Sequence, residues 1–177
     1  AHFAEGAQDV ALTYAEGIVA DLRQLPEDRS EAFAVRLRVL ESKYRAQPAD
    51  SLRLGLWQQA AEDAVAEAAV GIQAEAMYAK ASILRIRGQY AASSEAVFAL
   101  LDNYPGQQEW RFKALLVLAR NYASLNDGFQ ARYTLDFVIA EHPSDELVRE
   151  AQVLLAEFNA AQLESNAPQT TTEDDAE

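Results

Sequence analysis

The chain contains no cysteine among its 177 residues, which excludes disulfides, thiolate metal sites and cysteine nucleophiles. Only 7 glycines and 5 prolines are spread over this length, so few positions interrupt a helix. No apolar run approaches the roughly 20 residues that a membrane-spanning helix needs. The composition therefore favours long helices with short connections, and we expect no membrane span.

Basic residues are scarce. Lysine and arginine number 15 against 28 acidic residues, which gives a formal net charge of −13. A nucleic-acid partner needs a basic face to neutralise phosphates, so this balance argues against one. We interpret the acidity as a solubilising surface, with a salt-loving source as the alternative.

Motifs that carry chemistry are also missing. The two histidines, His2 and His142, have no partner at metal-ligand spacing. The sequence has no phosphate-binding glycine loop and no nucleophile elbow. Acidic neighbours such as Asp145 and Glu146 are adjacent on a helix and do not face each other. We therefore expect a protein that is not an enzyme and has no metal or cofactor.

Two amphipathic helices are predicted near the start of the chain. In residues 6–24, large apolar side chains recur at helical spacing, namely Val10, Tyr14, Ile18 and Leu22. A break follows at residues 26–28, and Ser30 is the predicted N-cap of the second helix. The apolar stripe of that helix consists of Phe33, Leu37, Leu40 and Tyr44.

A third helix is predicted to begin at Asp50 or Ser51, either of which can serve as an N-cap. Its apolar residues are Leu52, Leu56 and Trp57, and we expect Trp57 in the core. Gly71 either ends this helix or only bends it. Residues 50–87 are accordingly one helix or two, and both interpretations remain open.

Residues 74–143 contain an internal repeat, in which Met77 aligns with Leu115 and Pro105 with Pro143 at one constant offset. The two stretches read AEAMYAKASILRIRGQYAASSEAVFALLDNYP and FKALLVLARNYASLNDGFQARYTLDFVIAEHP. Each predicts a helix, a turn, a second helix and a closing proline, because proline cannot continue the helical hydrogen-bond ladder. The predicted turns lie near Gly88 and at residues 126–128. Small residues stand where the helices of a pair must cross closely, at Ala81, Ala119 and Ala131.

This pattern resembles the tetratricopeptide repeat, whose usual period of about 34 residues is somewhat shorter than the offset in this chain. The runs EAMYAKA, NYPGQQEW, KALLVLARNY and FQARYTL are most similar to the C-terminal repeats of envelope-associated bacterial members. The resemblance implies an all-α fold, a right-handed α-solenoid of antiparallel helix pairs. A last amphipathic helix over residues 145–163, capped by Ser144, would then close the solenoid.

The resemblance divides the chain into three parts. Residues 1–70 form an N-terminal helical segment that departs from the repeat pattern. Residues 71–163 form the two repeats and the capping helix, and residues 164–177 form an acidic tail that we expect to be disordered. Because the sequence begins at Ala1 without a methionine or signal-like segment, we expect a processed mature protein or a fragment. A periplasmic or cell-envelope location is favoured over a cytoplasmic one.

In this family the first helices of the pairs line a groove that binds a peptide. The resemblance places eight residues there: Glu75, Tyr78, Ser82, Arg85, Lys113, Leu116, Arg120 and Ala123. Bases among them would bind an acidic segment or a C-terminal carboxylate, or would instead pair with neighbouring glutamates. The carboxylate clamp of chaperone-binding members needs Lys and Asn where this chain has Tyr78 and Ser82. Trp110, between the repeats, is either an interface residue or a packing residue.

Three functions are compatible with the sequence. The first is a protein-binding scaffold or adaptor, part of a larger bacterial assembly and possessing a protein or peptide partner. The second is a structural subunit or fragment of a longer repeat protein whose faces are buried in a complex. The third is a helical enzyme or ligand-binding domain. An exposed apolar patch on residues 1–70 would favour the second, and a closed pocket with buried, paired carboxylates the third.

Overall fold

The computed structural model describes residues 2–141 and 144–165, and these ranges contain eight helices and no strand. The helices are α1 (His2–Ala20), α2 (Pro26–Ala46), α3 (Ser51–Glu67), α4 (Val70–Ile86), α5 (Tyr90–Asn103), α6 (Gln108–Ser124), α7 (Gly128–Glu141) and α8 (Asp145–Ser165). The predicted all-α class is confirmed. Pro143, and most of the tail for which disorder was predicted, lie outside the described residues.

Residues 50–87 form two helices, and the break between them lies at Ala68 and Ala69. Gly71 lies inside α4, so it does not end α3. The prediction that Ser30 caps α2 is wrong, because α2 begins at Pro26, whose fixed φ suits a first helical position. Ser30 has another partner: its Oγ accepts a hydrogen bond of 3.0 Å from the backbone N–H of Ala69. This bond ties the α3–α4 break to α2.

Two predicted helix caps are confirmed. The Asp50 carboxylate accepts hydrogen bonds from the backbone N–H groups of Leu52 and Arg53, at 2.9 and 3.2 Å. The Ser144 hydroxyl accepts one from the backbone N–H of Leu147, at 3.3 Å. Each cap satisfies donors that the first turn of a helix cannot satisfy internally.

The helices are arranged in two rows. Each helix packs against the next along the chain, and the even-numbered helices also contact one another in succession: α2 with α4, α4 with α6, and α6 with α8. Within the described residues, no two odd-numbered helices are in contact. We call α2, α4, α6 and α8 the inner row and α1, α3, α5 and α7 the outer row. The pair of α2 and α3 follows the same pattern, so the two-row packing begins before residue 71.

The constant offset of the sequence repeat is reproduced by the helix bounds. Helices α4 and α6 have 17 residues each and begin at Val70 and Gln108, and α5 and α7 have 14 residues each and begin at Tyr90 and Gly128. The turns correspond as well, because Gly88 (φ 73°) and Asn126 (φ 61°) both adopt the left-handed conformation. Gly and Asn tolerate this conformation better than other residues. The small residues at the predicted crossings are fully buried, as expected, at Ala81, Ala119 and Ala131.

The apolar stripe of α2 and the surface of α3 and α4 form one core cluster. Phe33, Leu37, Leu40 and Tyr44 pack with Trp57 and with alanines of α3 and α4. Trp57 is therefore a core residue, as expected, and it stacks on Tyr44 with ring centroids 5.8 Å apart. Leu52 and Leu56, the other apolar residues noted for this helix, are exposed. Helical spacing indicates a stripe, but the position of the neighbouring helices decides which face of α3 is buried.

A buried network of hydrogen bonds links α4, α5 and α6. The Asn121 side-chain amide donates to the hydroxyls of Ser93 and Ser94 at 2.8 and 3.2 Å, and Ser93 donates to the Ala81 carbonyl at 2.7 Å. Asn121 and Ser93 are fully buried. Buried polar groups need such partners, because an unsatisfied one loses its hydration without compensation. These hydrogen bonds thus fix the register of the three helices.

Replacing Ala119 or Ala131 with Leu tests the repeat frame. Both positions are fully enclosed at helix crossings, so the larger side chain should overpack the core and lower the free energy of unfolding by about 1–3 kcal/mol. Urea denaturation measures the change. The control is Ala156→Leu on α8, where the exposed position should leave stability within about 0.5 kcal/mol. Equal midpoints for the buried and the exposed variants would contradict the frame.

Candidate peptide-binding groove

A groove of about 530 Å³ crosses the inner row from α2 over α4 to α6. Its walls are mostly charged side chains and two aromatic rings. They are Arg38, Glu41 and Arg45 from α2, Glu75 and Tyr78 from α4, and Glu109, Trp110 and Lys113 from α6. The contacts between successive inner-row helices bring these residues together, although they are far apart in the sequence. We call this the inner-row groove.

The aromatic part of the groove is a pair of rings. Tyr78 and Trp110 have centroids 5.6 Å apart and are tilted by 37°. The Lys113 ammonium lies 4.3 Å from the centroid of the Trp110 ring, within the range of a cation–π interaction. It also donates a hydrogen bond of 2.5 Å to Glu109. Trp110 is half-buried in this cluster and presents part of its ring to the groove.

The side chain of Tyr78 is half-buried at the wall of the groove. Burial raises the pKa of its phenol, and the nearby Glu41 carboxylate raises it further, while a hydrogen bond with Ser82 lowers it. The phenol is consequently protonated at neutral pH and retains a donor at the wall of the groove.

Two arginines of α2 are paired with carboxylates in the groove. Arg38 donates two hydrogen bonds to Glu75 of α4, at 2.8 and 2.7 Å, and this hydrogen bonding raises the pKa of Arg38. Glu75 is only 5% exposed. Arg45 donates twice to one oxygen of Glu41, at 2.9 and 2.6 Å, within the same helix. These bases are therefore engaged with the protein's own glutamates.

Arg85 and Arg120 lie farther along the same row. Arg120 donates a hydrogen bond of 2.8 Å to Glu150 of α8. Arg85 forms no ion pair within the described residues, and its Nε is buried without a hydrogen-bond partner. Burial lowers the pKa of Arg85, and the positive charge of Arg120 lowers it further. The guanidinium of Arg85 is thus a cation that the described part of the fold leaves uncompensated.

The structure places the predicted groove residues in different surroundings. Glu75, Tyr78 and Lys113 line the groove, and Glu75 is largely buried and paired to Arg38. Ser82 is buried, and Arg85 and Arg120 lie near each other farther along the inner row. The prediction that Leu116 faces the groove is wrong, because it is 1% exposed and packs with Leu135 and Val138 of α7.

Sequence reasoning missed the contribution of α2. Arg38, Glu41 and Arg45 occupy one side of that helix at i, i+3 and i+7. Their spacing was visible in the sequence, but α2 lay outside the recognised repeat and its membership of the inner row was not anticipated. Glu109 and Trp110 lie in the first turn of α6, before the second aligned stretch begins, so the repeat alignment assigns them no role.

Within 2–141 and 144–165, no three His, Cys, Asp or Glu side chains are grouped so that they could hold a metal ion. None of the described helices combines the length and the apolarity needed to cross a membrane.

Comparison of the chain with protein families, curated proteins and solved structures finds no match. The tetratricopeptide resemblance therefore depends on the repeat pattern of the sequence itself.

The ion pair with the more buried glutamate, Arg38–Glu75, should contribute more to stability than the pair Arg45–Glu41. Arg38→Gln leaves the Glu75 carboxylate buried without its partner, and we expect the free energy of unfolding to fall by about 1–2 kcal/mol. Arg45→Gln removes a pair whose glutamate is 25% exposed and so remains partly hydrated, and it should cost about 0.5 kcal/mol or less. Chemical denaturation measures both. Adding Glu75→Gln to Arg38→Gln should recover part of the loss, and a lack of recovery would show that the pair is not the cause.

Proposed function

We propose that the chain is a non-enzymatic protein-binding scaffold built from helical repeats, and that its inner row binds a segment of a partner protein. The observation that carries this proposal is the uncompensated guanidinium of Arg85, next to Arg120 and on the same row as the Tyr78–Trp110 pair. Aromatic rings and arginines are the side chains most enriched at the energetic centres of protein interfaces.

The groove has the chemistry to fix an extended or helical segment in place. Tyr78 and Trp110 offer a partly buried apolar surface with polar edges. The paired charges around them, from Arg38 to Glu109, form a polar rim of the kind that surrounds the apolar centre of an interface. Such a rim contributes orientation more than affinity, because its ions are already compensated within the protein.

The cationic end of the row selects for an anionic group. Two guanidinium groups near each other repel, which is the reason Arg120 contributes to lowering the pKa of Arg85. A carboxylate bound between them would relieve that repulsion and could accept two parallel hydrogen bonds from either fork. We therefore infer a partner segment that carries an acidic side chain or a free C-terminal carboxylate at this end.

The architecture that we propose is a right-handed α-solenoid of antiparallel helix pairs, of the tetratricopeptide type, with α8 as its capping helix. The two-row packing and the constant offset between α4–α5 and α6–α7 support it. Scaffolds of this kind are members of larger assemblies, and a bacterial cell-envelope or periplasmic location fits the sequence resemblance described above.

One observation favours a second role, as a structural subunit whose N-terminal face is covered in a complex. Val10 and Tyr14 of α1 are 71% and 74% exposed, so the apolar stripe predicted for α1 is not buried by the described part of the chain. Leu22 is exposed as well. An apolar face of this kind is typical of an interaction surface.

Neutralising the two arginines tests the proposed site. An array of short synthetic peptides, varied in charge and in amidation of the C-terminus, provides the probe. We expect acidic peptides with a free carboxylate to bind best, because they can compensate Arg85. Arg85→Gln together with Arg120→Gln should weaken that binding about tenfold, equivalent to about 1.4 kcal/mol.

The matched control is Lys80→Gln together with Arg149→Gln, which removes the same charge from two exposed positions. Binding to this control should change less than twofold, and binding to the native protein should weaken as salt is raised. Circular dichroism should show unchanged helicity in both double variants. Equal loss of binding in the two, or no preference for acidic peptides, would exclude the arginine site.

A further inference from the structure

A second open groove lies between α1 and α2, away from the inner-row groove. It has a volume of about 1160 Å³. Its floor consists of small and apolar side chains, with Ala15 and Ala32 buried and Val10 and Tyr14 standing exposed at its wall. Ala11, Ile18 and Val35 complete its apolar part. We call this the α1–α2 groove.

The rest of the fold shows what covers such a groove elsewhere. Elsewhere an inner-row helix packs on the next two helices of the chain: α2 on α3 and α4, α4 on α5 and α6, and α6 on α7 and α8. The pair α1 and α2 has no helix in the equivalent place within the described residues. The α1–α2 groove therefore corresponds to a position that a helix occupies three times in the same chain.

The contact of α2 with α3 and α4 shows which side chains hold a helix in such a position. Helix α2 presents large apolar residues at i, i+4, i+7 and i+11 to an alanine-rich surface on α3 and α4, namely Phe33, Leu37, Leu40 and Tyr44. Arginines beside this stripe bridge to carboxylates of the covered pair. They are Arg29 to Glu67 at 2.6 Å, Arg36 to Asp63 at 2.5 Å and Arg38 to Glu75 at 2.7 Å.

The same polarity recurs at the far end, where Arg120 of α6 bridges to Glu150 of α8. In all four bridges the base belongs to the inner-row helix that docks and the acid to the pair that receives it. The charged residues around the α1–α2 groove match the receiving side. Asp9, Asp28 and Glu31 line it, and no lysine or arginine does among the described residues. Asp9 is paired with Lys43, which leaves Asp28 and Glu31 for an incoming base.

We propose that the α1–α2 groove binds an amphipathic helix of a partner protein, one with large apolar residues at i, i+4, i+7 and i+11 and with Lys or Arg flanking that stripe. The apolar stripe would fill the alanine-lined floor beside Val10 and Tyr14, and the bases would pair with Asp28 and Glu31. This site is separate from the inner-row groove, and its occupant has the opposite charge preference.

Other occupants fit less well. In a second copy of the chain, the exposed part of α8 carries Val153 but also Glu146 and Glu157. Docking it on Asp28 and Glu31 would place like charges together, which costs free energy in a desolvated contact. Residues 166–177 of the chain contain no large apolar side chain apart from proline and carry four acids, so they offer nothing to the apolar floor.

A pair of synthetic helical peptides tests the proposal. The first has the length of α2 and carries leucines in the stated pattern with flanking lysines, and the second replaces every lysine with glutamate. Fluorescence anisotropy should show binding of the basic peptide and at least tenfold weaker binding of its acidic twin. Val10→Gln with Tyr14→Gln should weaken binding of the basic peptide at least tenfold, although the net charge of the protein does not change.

Helix α7 provides a matched control, because Phe129 and Tyr133 are also four positions apart and are 70% and 64% exposed. Phe129→Gln with Tyr133→Gln should alter binding less than twofold. Asp28→Asn with Glu31→Gln should weaken the basic peptide, whereas Asp136→Asn with Glu141→Gln, both at exposed positions of α7, should have little effect. These pairs separate a specific site from general attraction to an acidic protein.

Three outcomes would overturn the proposal. The first is equal binding of the two peptides, and the second is equal loss in the α1 and α7 variants. The third is concentration-dependent self-association, seen by sedimentation velocity and abolished by Val10→Gln with Tyr14→Gln, which would identify a second copy as the occupant. These variants leave Arg85 and Arg120 of the inner row unchanged. The acidic peptides that test the arginine site should therefore bind the α1 and α2 variants as they bind the native protein, whether or not the α1–α2 groove binds the basic peptide.

Discussion

The fold depends on the close approach of each inner-row helix to the pair that follows it. Alanine makes this approach possible, because a large side chain at the crossing would hold the helices apart. On α3 and α4 the alanine surface includes Ala60, Ala61, Ala64, Ala76 and Ala79, and the large residues of α2 fill the space above it. The stability of the array comes from these repeated contacts between neighbours and not from one central core.

This mode of packing also brings side chains of the inner row together. Because inner-row helices touch one another, side chains from α2, α4 and α6 meet in one groove, and charges that are distant in sequence become neighbours. Most of those charges are compensated in place, as Arg38 is by Glu75. Farther along the row, the Nε of Arg85 is buried without a hydrogen-bond partner among the described residues. At the N-terminal end the same packing rule leaves an open groove between α1 and α2.

Much of the fold could be predicted from the sequence because the two repeat stretches predict the same elements independently. The constant offset predicts two helices, a turn and a small crossing residue twice, and the helix bounds agree with it. The positive φ values of Gly88 and Asn126 then show that the two turns correspond. The errors arise where burial depends on neighbours that periodicity does not reveal. The stripe of Val10 and Tyr14 is real, yet it is exposed because no described helix covers it. Leu116 is buried because α7 packs over it.

The candidate site was predicted only in part for the same reason. Tyr78 and Lys113 belong to the repeat and were identified, whereas Arg38, Glu41 and Arg45 belong to α2, which carries no recognisable repeat motif. The pairing of Arg38 with a buried Glu75 requires the crossing of two helices, which sequence spacing does not encode. Ser30 illustrates a similar limit, since its hydroxyl holds the α3–α4 break and does not cap its own helix.

Hydrogen exchange of a Phe33→Ala variant tests the central claim, that each inner-row helix stabilises the pair on which it lies. Phe33 is fully buried between α2 and its neighbours, and its removal should destabilise that junction by about 3–5 kcal/mol. Native-state exchange followed by mass spectrometry should then accelerate in α2, α3 and α4, with much smaller changes in α7 and α8. Acceleration confined to α2, or spread uniformly over all the helices, would contradict the account.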